Sequence, residues 1–243
     1  MIDTVELCGR PENPGADRPA ATSARVRETL AAIKKAGGPI SWCILTHAEH
    51  RVRVALLHLY AEGGRAPEVA QLAARAGLSA QEIPPLLASL QRSAAIALDP
   101  DTGRVIGAYP FADHETEQRV TLRTTTLNAM GATDALGIGS MYGDDVEIHS
   151  NCRACAAPIE IATRDRGRSI ARCQPEMAIV WSGVRDEPGG AGNSLRTVTA
   201  FFCSDAHLEN WSESHASELR GSRLSIDEAL EAGRAIFGSS LAG

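Results

Sequence analysis

An α+β fold is predicted: a helical N-terminal unit closed by a hairpin, then a longer domain of mixed strands and helices. Three observations predict it. Three short helical periods run from Arg51 towards Arg92, followed by a strand–turn–strand pattern ending near Phe111. From Glu115 to Phe237 strand-like and helix-like segments follow one another in irregular order, the pattern of an α+β domain. The composition, 44% hydrophobic and 22% charged, is that of an ordinary globular protein, and no internal repeat is visible.

Taken in order, residues 1–23 carry Pro11, Pro14 and Pro19 with little apolar content and read as a mobile lead-in, in which Cys8 is incidental. A helix is predicted over Arg25–Ala36, with Val26, Leu30 and Ile33 on one face and Gly37-Gly38 ending it. Val52, Leu56, Leu57 and Tyr60 space as a second helix stopped by Gly63-Gly64. Pro67 at a first-turn position opens a third, ended by Gly77. Ser79 with Glu82 makes a capping box for a fourth containing Ile83, Leu87 and Leu90. Asp99 to Gly103 is a turn between two short strands. Residues 24–112 therefore read as a winged-helix-like unit. Its arginines are offset by acidic residues, and its would-be recognition helix holds Pro84-Pro85 and only Arg92. DNA binding needs several cations on one face, so a packing role is expected instead.

In residues 113–243, Gln118–Thr126 alternates as a strand and Asn128–Gly137 reads as a short helix. Asp145–His149, Ile159–Ile161, Met177–Trp181 and Leu195–Cys203 are further strands. His207–Ala216 and Ser225–Ile236 are helical, the last with a Ser225/Glu228 capping box.

The chain can bury one substantial core or two small ones. A net charge of −6 argues against broad adhesion to nucleic acid or an anionic membrane. No apolar run approaches the ~20 residues that span a bilayer. Met1 to Asp17 are polar, with no basic segment leading into an apolar one, so a cytoplasmic setting is expected. There the six cysteines should be thiols or metal ligands rather than disulfides.

Several spaced blocks carry a resemblance. Leu127-Asn128-Ala129-Met130-Gly131-Ala132-Thr133-Asp134-Ala135-Leu136 is followed by Val146 to Cys152, Ala157-Pro158-Ile159, Met177 to Val180, and Phe201-Phe202-Cys203-Ser204 through His215. In this order they resemble the organomercurial (alkylmercury) lyases from about Arg51 to Phe237. The resemblance implies a catalytic carboxylate at Asp134, which must cycle between acid and base, and two mercury-holding thiols. The first thiol position reads Gly131; the second, five residues before the Phe pair, reads Arg196. Neither binds mercury, so standard carbon–mercury cleavage is not expected. Cys152 matches an additional cysteine of the family.

Cys152-Arg153-Ala154-Cys155 is half a zinc-site pattern, and only the fold could bring Cys173 or Cys203 alongside. No cofactor is expected, with zinc or a soft metal at Cys152 and Cys155 left open beside inert buried thiols. His149, His207 and His215 read as solvated or hydrogen-bonded histidines. Met130, Met141 and Trp181 could line a pocket or fill the core.

Three functions follow. One is a divergent enzyme acting on a small, anionic substrate, with Asp134 as general acid/base, Arg196 as anchor, and Gly131 and Met130 lining the site. Another is a lyase or mercury-binding protein using Cys152 and Cys155. The last is a ligand-responsive winged-helix regulator. An Asp134–Arg196 salt bridge is the plain alternative to catalysis. A homo-oligomer is left open.

Overall fold

The computed structural model describes residues 4–6, 21–35, 44–185, 197–215, 219–238 and 241. Arg196 and the Gly37-Gly38 stop lie outside them.

Within the stretch read as a lead-in, β1 (Thr4–Glu6) pairs antiparallel with β2 (Ile44–Thr46). Between them α1 (Ala24–Lys35) buries Val26, Thr29 and Ile33. α2 (His47–Gly63) starts earlier than the apolar spacing predicted, because Thr46 and Glu49 form a reciprocal capping box. It stops at Gly64, whose left-handed φ of 72° turns its N–H onto the Tyr60 carbonyl. α3 (Val69–Ala76) is capped by Glu68 with Gln71, so Pro67 stands before the cap rather than in the first turn. Ser79 does bond the Glu82 carboxylate, but around a turn; α4 (Ile83–Arg92) begins after it with Pro84 and Pro85 in its first turn.

The hairpin of β3 (Ile96–Leu98) and β4 (Val105–Ala108) turns where Asp99 Oδ1 accepts from the Asp101 and Thr102 amides. It does not stand free. Through β5 (Phe111–Ala112) it continues into one eight-stranded sheet ordered β10-β9-β8-β6-β7-β5-β4-β3, every neighbour antiparallel. β6 (Gln118–Leu122) and β7 (Thr125–Ala129) form a hairpin where the sequence suggested one strand. The chain reverses at Arg123, with φ 56° and no glycine to announce it. β8 (Val146–Asn151), β9 (Pro158–Arg164) and β10 (Ser169–Gln174) complete the sheet.

A second, three-stranded sheet has β11 (Ile179–Arg185) between β12 (Thr197–Phe202) and β13 (Leu219–Ser225). α5 (Ala132–Tyr142) packs against strands of both sheets and has all but two residues buried. α6 (Asp205–His215) follows β12. α7 (Ile226–Phe237) opens with the predicted Ser225/Glu228 box. α5 and α7 touch through Gly137 and Gly233; a β-carbon at Gly233 would lie 2.7 Å from the Thr133 carbonyl. No helix among the described residues is long and apolar enough to cross a membrane.

Candidate functional site

β7 runs almost directly into α5, so the start of that helix is fixed by the sheet. The Met130 amide bonds the Pro110 carbonyl, and Gly131 is the N-cap residue. Asp134 is therefore in the first turn, only 8% exposed, and has no hydrogen-bond or ion-pair partner among the described residues. Burial pushes its carboxyl up to about 7, because the charged form loses its hydration. Among the described residues no cation offsets that rise; Arg196, the partner in the salt-bridge alternative, lies outside them.

Gly131 has no side chain with which to cap α5. Thr199, on β12 of the other sheet, supplies the cap: its Oγ1 accepts from the Thr133 amide at 3.3 Å. The same oxygen occupies the space where a β-carbon on Gly131 would stand, and such a carbon would be 3.2 Å from Asp134 Oδ2. The thiol position implied by the resemblance is thus filled by a hydroxyl from across the site. Ser182 on β11 is directly opposite Thr199, which puts the two side chains on one face, with β-carbons about 5 Å apart. Ser182 Oγ and Thr133 Oγ1 are both buried without a hydrogen-bond partner among the described residues. Thr199 thus stands close to the acid, with Thr133 in the same helical turn and Ser182 across the strand pair from Thr199. Sequence reasoning missed all three, since nothing local marks a threonine or serine that meets a helix from another sheet.

The other expected residues scatter. The Met130 methyl packs on Gly107 of β4. Met141 lines a cleft with His58 and Tyr142, and Trp181 lines a separate one with Trp211 and His215, so the three do not share a pocket. His149 is exposed, as expected. His215 stacks on Trp211 with ring centroids 4.4 Å apart.

The cysteines form a second centre. Cys152, Cys155, Cys203 and His207 bring four ligand atoms within 4.8 Å of one another. Cys152 and Cys155 lie in the turn from β8 to β9. That turn is closed by the Ala156 amide on the Cys152 carbonyl and the Cys152 amide on the Ala157 carbonyl, both at 2.8 Å, with Ala156 at φ 58°. Cys203 and His207 come from the junction of β12 and α6, where Ser204 accepts from the amides of His207 and Leu208. The Arg153 amide bonds the Phe201 carbonyl at 3.0 Å and ties the two segments together. Burial pushes the Cys152 thiol up, but backbone N–H groups of Cys203, Ala154 and Cys155, with His207, hold it down at about 6. Cys203 is pushed up to about 11 by burial and by the neighbouring sulfurs, which disfavour a second negative charge. Cys173 is apart, its thiol directed at the Pro175 carbonyl at 3.5 Å. β12 ends at Phe202, so strand alternation does not reach Cys203. His207, expected to be solvated or hydrogen-bonded, meets the Cys152 and Cys203 sulfurs through Nδ1.

β12 carries Thr199 and leads directly into Cys203, and Asp134 is not within ligand range of the cluster. The hydroxyl-lined acid and the sulfur cluster are therefore distinct centres bridged by one strand.

No curated protein matches the chain in sequence. The mercury-bound form of MerB2 is among the solved structures it resembles, with 20% identity, a TM-score of 0.65, and coverage of 90% of this chain and 100% of that one. At that identity the likeness shows the fold. The sequence family described as MerB, alkylmercury lyase, matches residues 111–238, more than half of the chain, and takes in α5, β12 and both centres. The chain therefore belongs to the alkylmercury lyase family.

Proposed function

We propose that the protein is a divergent member of its family that moves a proton to or from a small, anionic substrate, with Asp134 as general acid/base. The observation that carries this reading is the Asp134 carboxyl, buried, without a partner among the described residues, raised to about 7 and close to Thr199. A carboxyl with that affinity exists in both forms at neutral pH, the condition under which general acid/base catalysis is most effective. The Thr133 and Ser182 hydroxyls, without a partner among the described residues, are free to bond polar atoms of a ligand. Arg196, immediately before β12, offers a planar fork for a carboxylate or phosphate group.

Carbon–mercury cleavage by the family route is disfavoured at this position, because hydroxyl oxygens are poor ligands for a soft R–Hg cation. The Cys152 cluster has the thiols but includes no carboxyl within ligand range. The test is a binding and turnover screen with small carboxylates and phosphate esters. An anionic ligand should bind the wild type and bind more weakly to Arg196→Ala. Asp134→Asn should retain binding and lose turnover. The assignment fails if both variants bind and turn over that ligand as the wild type does.

A further inference from the structure

We infer that Cys152, Cys155, Cys203 and His207 form a closed, structural zinc site that pins the β8–β9 turn to the β12–α6 junction. The geometry is the first argument. Zinc bound tetrahedrally at its usual bond lengths separates two sulfurs by about 3.8 Å, and a sulfur from an imidazole nitrogen by about 3.5 Å. Here Cys155 Sγ and Cys203 Sγ are 3.8 Å apart, and Cys152 Sγ is 3.7 Å from His207 Nδ1. Cys203 Sγ and His207 Nδ1, at 2.9 Å, would open by about half an ångström, and the remaining pairs all lie within 4.8 Å. The sulfurs are not joined, and all four cysteines among the described residues are free.

The ligand set is the second argument. Three thiolates and one imidazole, spaced Cys-x2-Cys and Cys-x3-His, are the nitrogen and sulfur donors of structural zinc sites. With four protein ligands no position is left for water or substrate, so the predicted role is mechanical.

The frame is the third argument. The turn holding Cys152 and Cys155 and the first turn of α6 are each fixed by backbone hydrogen bonds, so the donors converge without the metal. Ordering the ligands in advance lowers the entropy lost on binding. Because Cys203 follows β12 directly, the ion would also fix the strand that carries Thr199 to Asp134.

The experiment is metal analysis of the purified full chain, followed by cobalt(II) substitution. One zinc per chain is expected. The cobalt form should show the absorption of a tetrahedral ion with three thiolates. Cys155→Ser and His207→Ala should weaken zinc binding by roughly tenfold or more, whereas Cys173→Ser should leave it unchanged. Removing zinc with a chelator should lower Tm, and adding it back should restore it. If either ligand variant does not fold, the wild-type cobalt spectrum still counts the thiolates. A chain that takes up no zinc or cobalt, a Cys155–Cys203 disulfide in the reduced-purified protein, or undiminished zinc in both ligand variants would each overturn the inference.

Discussion

Replacing Gly131 with alanine places a β-carbon where Thr199 Oγ1 now stands, while the backbone there is extended (φ −160°) and accepts any residue. The penalty is therefore steric. Overpacking a closed interior costs about 1–3 kcal/mol. Displacing Thr199 also frees the Thr133 amide, whose hydrogen bond is worth about 1 kcal/mol. The sum is about 2–4 kcal/mol, and in a chain of this size each kcal/mol lowers Tm by about 2–4 °C. Urea unfolding of wild type, Gly131→Ala, Thr199→Ala and the double variant measures it. Thr199→Ala alone should cost about 1 kcal/mol. The double variant should be more stable than the sum predicts by about 2–4 kcal/mol, since the overlap is gone and the lost hydrogen bond is counted once. Additivity within error, or a Gly131→Ala variant as stable as wild type, would refute the coupling between the vacated thiol position and Thr199. Gly131→Cys should behave like alanine, so restoring the family thiol requires Thr199 to be reduced as well.

Asp134 gives a pH signature. Its folded pKa of about 7 exceeds the ordinary 3.8, so the native state holds the proton more tightly, and its contribution is complete below 3.8 and lost as pH rises through 7. Asp134→Asn should therefore gain stability over wild type between these values, by up to about 4 kcal/mol, levelling off above; difference unfolding curves at several pH values check this. Ser225→Ala removes the hydroxyl that caps α7 at 3.1 Å from the Glu228 amide, and should cost about 1 kcal/mol in urea unfolding. Gly233→Ala wedges a methyl against α5 and should cost about 1–3 kcal/mol by the same measurement. Incubated with phenylmercury and excess thiol, the protein should release benzene no faster than buffer, as read by gas chromatography.

Signals carried within a few residues were legible in the sequence. Gly64 and Gly77 stop their helices in the left-handed conformation, and Ser225 with Glu228 opens α7, because caps and stops are decided locally. Asp134 is singled out in the sequence only by the family blocks around it. What escaped depends on distant pairing. β10 and β13 have no strong apolar alternation because much of their surface is exposed or at a sheet edge. α5 is buried on nearly every side, so its apolar pattern has no polar face to mark where the helix ends. The sulfur cluster was half visible as Cys152 and Cys155. Its other half lies 48–55 residues on, at a strand–helix junction where period-two reasoning stops applying. Thr199 and Ser182 were invisible because their importance comes from the register of β11 against β12, and not from their neighbours in sequence.

The protonation of Asp134 is the point on which the functional reading turns. Carbon-detected NMR of aspartate-labelled protein, with Asp134→Asn to identify the signal, follows that carboxyl directly through a pH series. A midpoint at about 7 is predicted. A carboxyl ionised throughout, with a midpoint at or below the ordinary value of 3.8, would mean that a cation or a set of donors holds it charged, and would contradict its role as the acid.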